Sequence, residues 1–318
     1  MMKSGVMKIA YLISAYTDPE QLGRMINALH GEDTYFYIHV DAKVDRRPFE
    51  EAIPTEAGDH VMFSKKRYWI NWGGWNQVRY QQLLLSLALS SGIDFERLFI
   101  LTAQDYPLRS NRQIAEELKA NPKKEYIIGL DISKLAVAGG RERLKLTIPH
   151  LFRDIPFRYS GRIAYLSRRL MTALPYRRRP FMMIAGKRVD VFHSSSYMCI
   201  TADFARYALN EMENNKKLMK WLKITFVAEE LVIPTIAFNS TFASDCTLYG
   251  KQQYEGLKYL SAVTYFNYGK QIQIFTIDNY DELMQSGKMF CRKCATGISD
   301  ALMDRLDREH GVKPYIRR

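Results

Sequence analysis

The chain has 318 residues, 47% hydrophobic and 25% charged, the balance of a soluble globular protein with room for a large core. No run reaches the ~18 apolar residues that cross a bilayer, and four cysteines in this length do not make a secreted disulfide framework. The formal net charge of +12 points to anionic partners: a polyanion, a phosphate-bearing substrate or a membrane surface.

Apolar alternation predicts a strand over 8–16, and no small-residue cleavage site follows it, so no signal peptide is read. Pro19 opens a helix over 19–30, proline being favoured at the first helical position. Further strands are predicted over 34–41 and 61–65, then a helix over 76–91 that ends near Gly92. A buried strand over 97–105, a helix over 111–121 and a strand over 125–131 complete the alternation. It predicts an α/β fold with a Rossmann-like, mainly parallel sheet flanked by helices. Asp41, Asp105 and Asp131 each close a predicted strand, and ligands in such folds bind beyond the carboxyl ends of strands. No GxGxxG follows the first strand and no GxxxxGK[ST] occurs, which disfavours dinucleotide oxidoreductases and P-loop nucleotidases.

The second half is less regular. The arginine-rich segment 162–180 predicts a basic amphipathic helix ending before Pro175, either a solvated face or a contact to anionic lipid. A strand over 195–201 and a helix over 202–223 follow, then TFVAEELVIPTIAFNS over 225–240, where Glu229 and Glu230 lead into an apolar run. A Tyr-rich segment over 254–268, a strand over 271–275, a helix over 279–286 and a C-terminal helix from about 298 finish the chain. The CRKC at 291–294 has no second CxxC or His pair, so its cysteines are read as structural or incidental. The whole, 1–318, reads as one domain, with a nucleotide-binding half over about 7–131 and an acceptor-binding, catalytic half over about 132–318.

Strand-end carboxylates, excess base, and 20 Tyr, 16 Phe and 4 Trp suit a nucleotide-sugar enzyme. Aromatic rings stack on base and sugar, and cations hold the diphosphate. No DxD occurs, so lysine and arginine would have to neutralise the leaving phosphate in place of a metal ion.

The segments AYLISAYTDPEQLGRMI, YIHVDAK, WGGWNQV, ILTAQDYPLRSNRQI, SSSYMCITADFARYAL, FVAEELVIPTIAFNS and DNYDELMQSGKMFCRK carry a resemblance over residues 10 to about 294. In that order the chain resembles the core-2/I-branching β-1,6-N-acetylglucosaminyltransferase family, which includes peptide O-xylosyltransferases. The resemblance implies a GT-A fold and inverting transfer from a UDP-sugar without a metal ion. GlcNAc is the expected sugar, with xylose or another hexose as alternatives. Asp41 matches a residue that hydrogen-bonds uracil or ribose, Trp72 an aromatic flanking uracil, and Ser14 lies beside the base. Asp105 either orients the donor sugar or fixes the turn before Pro107. Glu230 matches the catalytic base, since Thr235 and Ile236 then fall on the family's Thr-Ile pair; Glu229 is read as a charge complementing a helix dipole. Lys293 and Lys270 match the cations at the diphosphate, with Arg292 as an alternative contact. On the acceptor side the resemblance implies Asp131, Arg141, Glu142 and Arg143, with Tyr265 or Phe266 as a stacking face.

The chain departs from the animal members in lacking their anchor, stem and many cysteines. The expectation is therefore a bacterial relative, cytoplasmic or peripheral on the inner face of the membrane, acting on a glycan or lipid-linked oligosaccharide. A non-catalytic polyanion-binding protein is the alternative of another class, but no nucleic-acid-binding motif is present and no nucleic-acid partner is expected.

Overall fold

The structure is a computed structural model that describes residues 7–134, 149–156, 160–174, 178–250, 255–269 and 271–316. Strands β1 (Ile9–Ala15), β2 (Thr34–Val40), β3 (Val61–Phe63) and β4 (Arg97–Thr102) pair in parallel in the order β4-β1-β2-β3. The strand Met198–Thr201 adds antiparallel to the outer edge of β4. Both faces of this sheet are covered, which is why β1, β2 and β4 read as nearly unbroken apolar runs.

Successive side chains alternate between two cores. Ala10, Leu12, Leu98 and Ile100 pack with the helices Asn76–Leu89 and Ala202–Asn214. Tyr11, Ile13, Phe99 and Leu101 pack with the helices Pro19–Leu29 and Asp300–His310. On that second face the Tyr11 ring stacks between Phe36 at 5.4 Å and Phe99 at 5.3 Å, a cross-strand trio that fixes the β2-β1-β4 register.

Four sequence expectations are corrected. The strand predicted over 97–105 stops at Thr102, because the Asp105 carboxylate turns back to accept from the Thr102 amide at 2.7 Å. Asp105–Pro107 then pairs antiparallel with Phe290–Arg292 in a small separate sheet. The strand ending at Asp131 is short (Ile128–Asp131) and lies outside the central sheet, between Thr247–Leu248 and Phe192–His193. The helix predicted over 202–223 breaks at Asn215, whose side chain caps a second helix, Lys216–Leu222, by accepting from Leu218 N at 3.1 Å. Residues 271–275 form no ladder; Phe275 N donates to the Lys293 carbonyl at 2.8 Å and Lys293 N to the Gln273 carbonyl at 3.1 Å, which anchors Lys293.

Candidate active site

Glu230 ends a single 3-10 turn, Ala228–Glu230, ahead of the helix Val232–Phe238. His193 Nε2 lies 2.8 Å from Glu230 Oε2, and since a carboxylate can only accept, the imidazole donates. The Glu230 side chain is 12% exposed, enough for one reactant on its remaining lone pairs. Two backbone bonds hold the turn: Glu230 N to the Val227 carbonyl and Ser194 N to the Glu230 carbonyl, each at 2.9 Å. Thr235 Oγ1 accepts from Phe192 N at 3.1 Å and locks the helix against the strand that carries His193. Val227 sits in the left-handed region at φ 53. For a β-branched residue that is an unfavourable conformation, held here by the packing around the turn.

Glu229 is corrected. It is not a charge complementing a helix dipole but a buried carboxyl, with burial first and Glu230 second pushing its pKa well above the ordinary range. Two adjacent carboxylates in one dry site cannot both ionise freely, and the one with less water keeps the proton. Glu230 therefore stays the member of the pair with access to a substrate.

The cations come from the other side of the site. Antiparallel pairing sets Arg292 opposite Asp105. Their side chains, 8% and 0% exposed, form an ion pair at 3.5 Å. The Arg292 guanidinium also donates to Thr102 Oγ1 and lies 5.0 Å from the Tyr197 ring centroid. Burial pushes the Asp105 carboxyl up to about 6, opposed by Arg292 and by the Thr102 amide. Lys293 is half-buried and its pKa is lowered, first by burial and then by Arg292 beside it. An arginine already engaged and a lysine held next to it make a local excess of positive charge.

The Glu230 carboxylate and the Arg292 guanidinium both act on the Tyr268 hydroxyl. Burial raises it first, the Glu230 carboxylate raises it further and Arg292 opposes. Tyr80 is pushed up to about 12, with burial as the first cause; Ser14 and Arg292 oppose the rise and Glu229 and Asp105 add to it. Ser14 lies at the carboxyl end of β1, and Asp105 just past the carboxyl end of β4.

Asp41 lies just past β2, tied to the end of β1 by its amide donating to the Ala15 carbonyl at 2.9 Å. Its Oδ1 accepts from Lys43 N at 3.0 Å and Ile70 N at 3.2 Å, while Lys43 Nζ lies 3.4 Å from Oδ2. Asp41 therefore shapes the segment that leads to Trp72. That indole is 67% exposed, not a core residue, and stands edge-on against Phe226 at 4.7 Å. Gln77 accepts from Gly73 N at 2.5 Å, which ties the Trp72 segment to the helix Asn76–Leu89.

Gly73 has φ +70, and a Cβ there would lie 2.4 Å from Phe226 Cε2. Gly73→Ala should therefore lose about 1–3 kcal/mol of stability and weaken any ligand that stacks on Trp72. Thermal unfolding and nucleotide titration of the variant check both effects.

Other sequence-predicted residues are engaged in contacts of their own. Both Asp131 oxygens are engaged, Oδ1 by Ser133 N at 2.9 Å and Oδ2 by Lys134 Nζ at 3.2 Å. The Tyr265 hydroxyl donates to Glu282 Oε1 at 2.6 Å, and Phe266 is buried. Tyr259 and Tyr268 of that stretch are exposed, and the sequence reading singled out neither. It missed His193 too, because a strand residue beside a serine run gives no local sign that it meets a glutamate far along the chain. Lys270, Arg141, Glu142 and Arg143 lie outside the described residues.

Comparison with known proteins gives a consistent result. The family model described as "Core-2/I-Branching enzyme" matches residues 9–252. Human Xylosyltransferase 2 is 30% identical over 141 residues, 43% of this chain and 16% of that protein. Human beta-1,3-galactosyl-O-glycosyl-glycoprotein beta-1,6-N-acetylglucosaminyltransferase 3 is 18% identical over 234 residues, 72% of this chain and 47% of that protein. The chain thus spans less than half the length of these curated relatives. Among solved structures, galactosyltransferase LgtC in complex with donor and acceptor sugar analogues aligns over 98% of this chain and 97% of its own, with a TM-score of 0.38 and 9% identity.

Proposed function

Because the chain belongs to the core-2/I-branching enzyme family, we propose that it is an inverting, metal-independent glycosyltransferase of the GT-A type. The donor is a UDP-sugar, with UDP-GlcNAc first and UDP-xylose or another UDP-hexose as alternatives. One observation carries the reading: the hydrogen-bonded Glu230 carboxylate and the Arg292 guanidinium both act electrostatically on the Tyr268 hydroxyl, with Lys293 beside Arg292.

In this mechanism the Glu230 carboxylate takes the proton from an acceptor hydroxyl as that oxygen attacks the anomeric carbon. The new glycosidic bond forms while the bond to UDP breaks, and UDP leaves from the opposite face. His193 holds Glu230 oriented, which lowers the entropy cost of reaching the reactive geometry. Lys293 and Arg292 neutralise the charge that develops on the leaving diphosphate. Trp72 supplies a face for uracil, and Asp41 and Ser14 the polar contacts around the nucleoside. The acceptor is a glycan or a lipid-linked oligosaccharide.

A thermal-shift panel of UDP-sugars tests the donor assignment; the cognate donor should raise Tm well above the shift given by ADP-sugars or free UMP. Chelation tests the cations separately. Excess EDTA should leave donor binding and donor turnover unchanged, whereas strict dependence on Mn²⁺ would remove Lys293 and Arg292 from the role given to them.

A further inference from the structure

The helix Ser160–Ala173 turns its larger apolar side chains away from the protein. Its inner face is set by Ala164, which is buried, by Ser167, which donates to the Leu151 carbonyl at 3.5 Å, and by Arg168 over the Phe226 ring at 5.6 Å. Those positions fall three and four apart, on one side of the helix. The adjoining side exposes Ile163, Leu166 and Leu170 and continues to Leu174, with Leu166 61% and Leu170 64% exposed. These residues repeat at helical spacing and form one stripe, bordered on one side by the exposed Arg162 and Arg169, which are seven apart and share a helix side.

Scattered exposed leucines need no explanation, but a continuous aliphatic row does. The row lies beside an arginine-bearing side of the helix on a chain of net charge +12, so the partner that complements it is apolar at depth and anionic at its surface. That is the profile of a phospholipid interface, where leucines enter the acyl boundary and arginines pair with headgroups. Among the described residues no helix is long and apolar enough to cross a membrane, so the contact is a surface one.

The helix is also close to the site. Its inner Arg168 covers Phe226, and Phe226 stands against Trp72 at 4.7 Å. We propose that this face docks on an anionic phospholipid surface and thereby presents membrane-borne glycans to Glu230. The docking stands on the helix alone; its use in presenting an acceptor rests on the transferase reading above.

Vesicle flotation with the full chain tests the docking without any donor or acceptor. Wild-type protein should float with vesicles of equal parts phosphatidylglycerol and phosphatidylcholine at least about ten-fold more than with phosphatidylcholine alone, and less as salt rises. Leu166→Glu with Leu170→Glu should reduce flotation about ten-fold or more, as should Arg162→Glu with Arg169→Glu, with Tm and UDP binding unchanged. Equal flotation on both vesicles, or full flotation of both double variants, would overturn the proposal. So would a concentration-dependent dimer, seen by light scattering, that the leucine variants convert to monomer, since the face would then be a contact between copies. Loss of UDP binding by the wild type with flotation intact would instead overturn only the transferase reading.

Discussion

Glu230→Gln should abolish sugar transfer while leaving UDP bound. The substitution keeps volume and one hydrogen-bond acceptor, so His193 can still donate to the side chain that it meets at 2.8 Å in the wild type. What is lost is the ability to take a proton, and general-base catalysis is worth about 10²–10⁴-fold. The loss should therefore appear in kcat, with donor affinity within a factor of about two, because the base acts on the acceptor hydroxyl and not on UDP. Turnover of the cognate donor, together with UDP titration of the same preparation, separates the two quantities. Wild-type turnover in the variant would remove Glu230 as the base. Glu229→Gln gives a contrasting result: that carboxyl is buried and its pKa is held up, first by burial, so a neutral amide mimics its resting state and most activity should remain.

Arg292→Met should unfold the protein more readily than it affects chemistry. It leaves Asp105, whose side chain is 0% exposed, without its cation at 3.5 Å. Breaking a buried pair by removing one partner costs about 3–5 kcal/mol. The effect depends on pH with a definite sign. The folded carboxyl is raised to about 6 by burial, so stability from the neutral form is fully present below its unfolded value and is lost as pH rises through about 6. Without Arg292 the opposing cation is gone and this loss becomes larger. The variant should thus fall further below wild type at about pH 8 than at about pH 5 in thermal unfolding. Asp105→Asn combined with Arg292→Met should recover most of the stability but not the UDP affinity. Wild-type affinity in the double variant would confine Arg292 to a structural role.

The central sheet was legible because its strands are buried on both faces and announce themselves as apolar runs with turn residues between them. Parallel strands linked by helices need only local pattern to be found, and β1, β2 and β4 were. The small sheets were not legible in the same way. Ile128–Asp131 pairs with His193 and with Thr247–Leu248, partners far along the chain that no local period marks, so Asp131 was placed at the edge of the wrong sheet. The Glu229–Glu230 pair shows the same limit at one step of the backbone. The spacing to Thr235–Ile236 separates the two residues, but a carboxylate is expected to reach water, and the sequence carries no sign that Glu229 is the one turned inward. Trp72 gave the reverse case: a tryptophan is usually core, and the left-handed turn at Gly73 is what turns it outward.

The most direct test of the central claim follows the anomeric proton of the donor by NMR in excess EDTA, using the UDP-sugar that gives the largest thermal shift. The account predicts that the wild-type protein consumes this α-linked donor without added metal and that the first sugar product carries the β configuration. An α-configured first product, or no consumption until Mn²⁺ is supplied, would contradict it.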